Sequence, residues 1–317
     1  MLPDLLHISK SDVLALKITP AQMRASISDV FADLAAGKCR FEPKSQLQLG
    51  VGQSFQMMAA ASYTWSMAVV KWVSVVPTGP ASKLPAISAV LCLNDTETGH
   101  PLAFIDGEII TLQRTAAMAA VSAQRLARDN PEVLALVGCG AQARSQLLAF
   151  TDVFPSLRKV LCHSRSRSSA QALADMAAEH GLEGVVMESA DDLIRDADII
   201  ISMVPAAPDL EPFLDASRLK PDALAVMVDL GRSWLPDSLT CFSQFATDSL
   251  EQMQHPMDAR GHEVKSARIN ADLISGLTRS EGRQAFCFKG HSAGDLAAAK
   301  LVYDLAREKS LGQTLSR

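Results

Sequence analysis

The spacing of apolar positions changes twice along the chain. Near the N-terminus, Met23, Ile27, Val30, Phe31 and Leu34 recur at the three- and four-residue intervals of one helix face. Thr19 is placed to cap that helix, Pro20 to fill its first turn and Gln22 to complete a capping box, while Gly37 offers a left-handed stop. Over residues 40–110 the period shortens. Apolar or alternating runs at 68–76, 87–93 and 102–105 are divided by the turn clusters Pro77-Thr78-Gly79-Pro80, Asn94-Asp95-Thr96-Glu97-Thr98-Gly99 and Asp106-Gly107. This predicts a mostly antiparallel sheet. Helical spacing then returns over the alanine-rich stretch 111–128.

From Pro131 onward the two periods alternate. Strands are predicted at 133–137, 159–162, 184–187, 197–204 and 223–230, with helices at 141–150, 168–180 and 190–195 between them. Such alternation makes the fold class α/β, built on a doubly wound parallel sheet. A last helix, 293–308, is expected to pack back on the first domain.

Composition narrows the picture. A chain of 317 residues, 48 % hydrophobic and 21 % charged, is large enough for two domains with full cores and is neither disordered nor fibrous. A net charge of −5 gives no overall basic field to recruit nucleic acid. The six cysteines, at 39, 92, 139, 162, 241 and 287, form no CxxC, and His7, His255 and His262 form no spaced cluster. Reduced thiols and no metal are expected. Met1-Leu2-Pro3-Asp4 opens no secretory signal, and no apolar run reaches the ~20 residues of a membrane span, so a cytoplasmic protein without a membrane partner is expected. No G-x-S-x-G elbow supports serine nucleophilic catalysis.

The most specific local motif is Gly138-Cys139-Gly140-Ala141-Gln142-Ala143, a G-x-G-x-x-A turn between a predicted strand and a predicted helix. Gly138 permits the tight turn, Gly140 lets the backbone approach a pyrophosphate, and Ala143 lets helix and strand pack closely. The helix N-terminus offers free N–H groups and partial positive charge to the phosphates. The next strand ends in Cys162-His163-Ser164-Arg165-Ser166-Arg167, without the acidic residue that would hold an NAD ribose. Hydroxyls and cations at Ser164, Arg165 and Arg167 suit a 2′-phosphate, so NADP(H) is expected over NAD(H), with NAD(H) still possible.

Several blocks together resemble the ornithine cyclodeaminase/μ-crystallin family. They are Lys71-Trp72-Val73-Ser74-Val75-Val76-Pro77, Asp95–Ala103, Arg114-Thr115-Ala116-Ala117, Gly138–Ala143, and Phe288-Lys289-Gly290-His291-Ser292-Ala293-Gly294-Asp295-Leu296. The resemblance implies a Rossmann-type domain over 126–292. It implies an α+β substrate-binding and dimerisation domain over 1–125 and 293–317, and a homodimer. It further implies a small α-amino or α-imino acid lying beside a nicotinamide. Lys71 and Arg114 match the family's carboxylate-binding cations, and Arg114 with Thr115 matches residues near the cofactor phosphates. Lys44 stands where the family has an arginine, and an ammonium cannot reproduce a planar guanidinium fork. Lys71 also falls inside an apolar run, where an unpaired charge is costly, so it requires a partner, a ligand or water. Gln56 is a further candidate to face substrate, and His291 to approach the nicotinamide.

The loop after Val228 bears on the reaction. Family cyclodeaminases carry Gly-x-Asp-x-x-Gly-Lys there, whereas this chain reads Asp229-Leu230-Gly231-Arg232-Ser233-Trp234, with Arg232 in the aspartate's place. Asp229 either reaches the site by a shift in register, beside the cofactor, or caps the end of its strand; both readings stand. Reduction of a cyclic imine asks for less than cyclodeamination. The expected activity is NAD(P)H-dependent reduction of Δ1-pyrroline-2-carboxylate to L-proline, with the six-membered homologue as a second substrate. In that reaction Lys71 and Arg114 act as catalytic residues. The alternatives are a lyase of the same family, ornithine cyclodeaminase or hydroxyproline dehydratase, and an NADPH-dependent binding protein with little turnover.

Overall fold

The computed structural model describes residues 4–50, 52–76 and 84–316; the turn cluster Pro77–Pro80 and residues 1–3 lie outside them. The chain forms two compact units. One comprises Met1–Met118 with Gly290–Arg317, the other Ala119–Lys289.

In the first unit, helix α1 (Lys10–Ala15) and helix α2 (Pro20–Ala35) both begin in capping boxes, Ser9 with Asp12 and Thr19 with Gln22. Gly37 takes φ 70° just beyond α2. The sheet contains β1 (Leu5–Ile8), β2 (Cys39–Phe41), β3 (Ser45–Gly50), β4 (Gln53–Ser62), β5 (Met67–Val75), β6 (Ile87–Asp95) and β7 (Pro101–Asp106). A final strand, Gln313–Leu315, pairs antiparallel with β1, so the two chain ends share one sheet edge. Strands β4 to β7 are antiparallel neighbours, and β1 joins β7 in parallel.

Pairing register decides what each face carries. Met58, Lys71, Leu91, Ile105 and Ile8 are successive cross-strand partners, and all five side chains are buried. The C-terminal helix (Ser292–Glu308) packs on α2 and on β4, β5 and β6. Ser26 Oγ donates to the Ala297 carbonyl at 3.0 Å, tying the two helices together. The opposite face carries Met57, Trp72, Val90 and Phe104, all exposed.

The longest strand, β4, was not marked by the pattern. Its sequence, QSFQMMAAAS, is rich in alanine and glutamine, which have weak strand propensity, and only its inner positions 54, 58, 60 and 62 are buried. Neighbour pairing, rather than local preference, makes it a strand.

Helix α3 (Glu108–Leu126) begins in the first unit and runs into the second. There follow β8 (Val133–Val137), α4 (Ala141–Val153), β9 (Lys159–His163), α5 (Arg167–Glu179), β10 (Glu183–Val186), α6 (Ala190–Asp196), β11 (Ile199–Ser202) and β12 (Leu224–Met227). Three more strands complete the sheet: β13 (Gln244–Thr247), β14 (Ala271–Asp272) and β15 (Gln284–Cys287). The order is β10-β9-β8-β11-β12-β15-β13-β14, parallel throughout. The α/β fold class with a parallel sheet is therefore as the alternation predicts. The last three strands are a correction to the predicted extent: each has four residues or fewer, and residues 248–283 contain no helix, so no strand–helix alternation marks them. Strand order reverses between β8 and β11, the topological position at which open α/β sheets bind ligands.

Candidate active site

In the first unit the buried row of the sheet contains one charge. Lys71 sits on β5 with its side chain 1 % exposed, and Nζ donates to Asp295 Oδ1 at 2.7 Å. Arg114, on α3, brings Nε to the same oxygen at 3.0 Å. Asp295 is in the first turn of the C-terminal helix and is fully buried. Gly294 makes this approach possible. A Cβ there would lie 2.6 Å from Met118 Sδ and 3.6 Å from Arg114 Cδ, so a larger residue would have to displace the Met118 side chain. Two cations and one carboxylate leave the cluster electropositive, which suits an anionic ligand. Burial is the main force on the Lys71 amine, followed by repulsion from Arg114, with Asp295 opposing; together they bring it down to about 7. Lys44 adds a smaller repulsion, which places it within electrostatic reach of Lys71.

Gln56 shares this face. It pairs across the strands with Val73, two residues along from the Met58–Lys71 pair, so strand alternation puts Gln56 and Lys71 on one side. Thr115 follows Arg114 on α3 and is buried. His291 is the N-cap of the C-terminal helix. Its Nδ1 accepts from the Ala293 N–H at 3.1 Å, and its ring packs against Phe41 and Phe31.

In the second unit the glycine turn has the geometry that a dinucleotide requires. Gly138 adopts φ 91°, and a Cβ there would stand 2.9 Å from the Met203 carbonyl oxygen, so no other residue fits without moving β8 from β11. The Gly138 N–H is fixed by the His163 carbonyl at 2.9 Å. A Cβ on Gly140 would meet nothing within 4 Å, leaving open space in front of the turn. Gly140 is the N-cap of α4 and supplies no side-chain hydrogen bond there, and a helix N-terminus of this kind favours a phosphate. Ala143 is buried where α4 meets the sheet. These residues fit a nicotinamide dinucleotide.

At the end of β9, His163 Nδ1 lies 2.9 Å from the Met187 carbonyl, and the next residues form a turn. Ser164 is half-buried there and Arg165 exposed. Ser166 caps α5, and Arg167 is ion-paired with Glu188. Arg165 has no ion-pair partner among the described residues, which makes it the more available of the two cations.

Asp229, in the turn after β12, sits in a closed network. One carboxylate oxygen accepts from Ser202 Oγ at 2.9 Å and from the Gly231 N–H at 3.2 Å; the other accepts from Ser233 Oγ at 2.5 Å. Trp234 Nε1 donates to Ser202 Oγ at 3.0 Å. Burial pushes the Asp229 carboxyl up, against the lowering effect of the two serines. The network holds a turn in which Leu230 takes φ 67° and Gly231 φ 92°. Arg232 follows, its Nε buried and without a hydrogen-bond partner among the described residues.

Residue pattern brought forward Lys71 and the glycine turn, the family resemblance added Arg114, and neither assigned a role to Asp295, Ser202 or Trp234. A signal for Asp295 existed: it is a lone carboxylate within Ala293-Gly294-Asp295-Leu296-Ala297-Ala298-Ala299. Among the described residues no three His, Cys, Asp or Glu side chains gather as metal ligands, and no helix is long and apolar enough to cross a membrane.

The model of the ornithine cyclodeaminase/mu-crystallin family matches residues 8–310. The chain belongs to that family. It is 33 % identical over 266 residues to a Delta(1)-pyrroline-2-carboxylate reductase of Bacillus cereus, covering 78 % of this chain and 79 % of the relative. Among solved structures it is similar to an archaeal alanine dehydrogenase dimer with bound NAD, with TM-score 0.88, 26 % identity and 99 % of each chain covered. It is equally similar to the Thermococcus litoralis Delta(1)-pyrroline-2-carboxylate reductase in complex with NADH and L-proline, with TM-score 0.88, 25 % identity, 98 % of this chain and 100 % of the other. The family and its nicotinamide-linked oxidoreductases are thus common ground, while the named substrates of the relatives differ.

Proposed function

We propose that the protein reduces a small cyclic α-imino acid with a nicotinamide cofactor, Δ1-pyrroline-2-carboxylate to L-proline in the first instance and the six-membered imine to pipecolate in the second. The observation that carries this reading is the buried, net-positive Lys71–Asp295–Arg114 cluster in a chain that also holds a dinucleotide-type glycine turn.

The cofactor would be held by the turn Gly138–Ala143, with the N-terminus of α4 on its phosphates, and supplies hydride when bound. The remaining tasks fall to side chains. Arg114 and Lys71 bind the substrate carboxylate, and Lys44 adds positive potential. A Lys71 amine near 7 can hold or release a proton at neutral pH, so it also serves as the local proton carrier. Fixing two reactants in one orientation is itself worth roughly 7–11 kcal/mol of barrier. Arg232, where cyclodeaminases carry an aspartate, and the saturated network of Asp229 both favour reduction over cyclodeamination.

Two further features belong to this reading. The Ser164–Arg167 turn, without a carboxylate, favours NADPH over NADH. The exposed face around Met57, Trp72, Val90 and Phe104 is the surface on which a second copy of the chain would pack, as large apolar patches seldom stay in water.

Mixing protein, NADPH and each imine while following cofactor absorbance and ammonia tests the proposal. NADPH loss with the five- or six-membered imine supports it. Ammonia release from ornithine or hydroxyproline without net NADPH loss would instead mark a lyase, NADPH loss only with pyruvate and ammonium an alanine dehydrogenase, and tight NADPH binding without turnover a carrier.

A further inference from the structure

The two oxygens of Asp295 are not equivalent. Oδ1 takes both cations, Lys71 Nζ at 2.7 Å and Arg114 Nε at 3.0 Å. Oδ2 is buried and has no hydrogen-bond partner among the described residues. An ionised carboxylate oxygen without a donor is expensive, because the desolvation of a charged acceptor is then uncompensated. Two other buried carboxylates avoid that state: Asp229 has donors on both oxygens, and Asp198 Oδ2 takes the N–H groups of Glu132 and Val133 while its Oδ1 takes Lys220. The oxygen left over lies in a cluster whose charge invites a carboxylate ligand.

We propose that Asp295 is a substrate-binding residue whose Oδ2 accepts the N–H of the imino or amino acid, while its Oδ1 holds the two cations that grip the carboxylate. This rests on the imino-acid reading and extends it, since it names the group that recognises nitrogen. An α-amino acid, or a cyclic α-imino acid protonated at nitrogen, carries an N–H one carbon from its carboxylate. A site in which one aspartate touches the carboxylate-binding cations and keeps a free acceptor beside them matches that arrangement. Carboxylates without an adjacent N–H would leave Oδ2 unsatisfied and be rejected, so Asp295 separates imino and amino acids from hydroxy and keto acids of the same shape.

Two planar rings of nearly equal shape isolate this contact. Pyrrole-2-carboxylate presents an N–H beside its carboxylate; furan-2-carboxylate presents a ring oxygen in the same place. Their dissociation constants are measured by calorimetry on the NADPH-saturated protein at neutral pH. The wild type should bind the pyrrole roughly 10- to 100-fold more tightly, as expected of a hydrogen bond to a charged acceptor. In Asp295→Asn the amide nitrogen replaces Oδ2 as a donor, so the preference should vanish or reverse while NADPH affinity is kept. The pH dependence gives a second readout. Asp295 supports the charged form of Lys71, so in Asp295→Asn the loss of pyrrole-2-carboxylate affinity with rising pH should begin at lower pH than in the wild type. Equal affinity of the wild type for the two rings overturns the assignment and leaves the imino-acid reading intact. Binding of neither ring overturns both, and the wild-type comparison stands even where the variant fails to fold.

Discussion

Replacing Lys71 with methionine separates what the residue does for the fold from what it does for chemistry. Bringing a lysine from its ordinary 10.5 to about 7 corresponds to roughly 5 kcal/mol against the charged form in the folded protein. The sign follows from proton counting. Between those values the unfolded chain carries the proton on this residue and the folded chain largely does not, so stability rises with pH across the window and falls as pH drops from about 10.5 towards 7. Methionine has a similar length and no charge, and Arg114 remains on Asp295 Oδ1. Denaturant titrations of wild type and Lys71→Met at about pH 7.5 and 9.5 should therefore diverge. The wild type should gain roughly 2–3 kcal/mol relative to the variant over that interval. At the lower pH the variant should be as stable as the wild type or more so, as often happens when a buried charge is replaced by a packed apolar group. Activity should move the other way: losing a buried charge on the substrate carboxylate costs about 2–5 kcal/mol, which lowers kcat/KM by roughly 30- to 5,000-fold. Parallel stability–pH curves for the two proteins would refute the reasoning, since they would mean that the Lys71 amine titrates in the fold as it does in water.

Gly138→Ala forces a positive φ on a residue with a side chain and drives its Cβ to 2.9 Å from backbone oxygen, so NADPH affinity measured by fluorescence should fall at least about tenfold with a lowered Tm. Arg165→Ala should raise the Kd for NADPH by roughly 5- to 50-fold and leave that for NADH nearly unchanged, which separate titrations read directly. Trp72→Glu puts a charge in the exposed row with Met57 and Val90, and sedimentation should show a dimer for the wild type and a monomer for the variant. With pyrrole-2-carboxylate as the probe, affinity of the wild type should decline as pH rises above about 7, because the free Lys71 amine then loses its proton.

The sequence displayed the fold where local pattern and tertiary environment agree. The cap at Thr19, the Asp95 turn, the glycine turn and strand β8 all follow from neighbouring residues. Strand β4 escaped notice because its alanines and glutamines carry little strand preference, and β13 to β15 because four residues are too few to display a period. The site divides in the same way. Gly138–Ala143 is contiguous and could be recognised as a unit. The cation cluster joins positions 71, 114 and 295, with Lys71 and its aspartate 224 positions apart, so no spacing rule could connect them. What the sequence did contain was a lysine in an apolar run and an aspartate in an alanine-rich helix, two charges each needing a partner.

Comparison of Asp229 with Asp295 bears on the reaction itself. Both are buried carboxylates, and both lie in segments expected to border the site. Asp229 is engaged by Ser202, Ser233 and Gly231, and the donors hold a turn with positive φ at Leu230. A carboxylate so engaged must give up hydrogen bonds before it can take a proton from an amino group, and breaking them would loosen the turn. Asp295 has one oxygen committed and one not. On the proposed reading, management of the substrate nitrogen falls to Asp295 and the Lys71 amine near 7, rather than to the loop after β12. A hydride acceptor needs its N–H oriented and a proton within reach, the two tasks that the proposal gives to this pair; cyclodeamination would require a further general base, and the family resemblance puts Arg232 at that position.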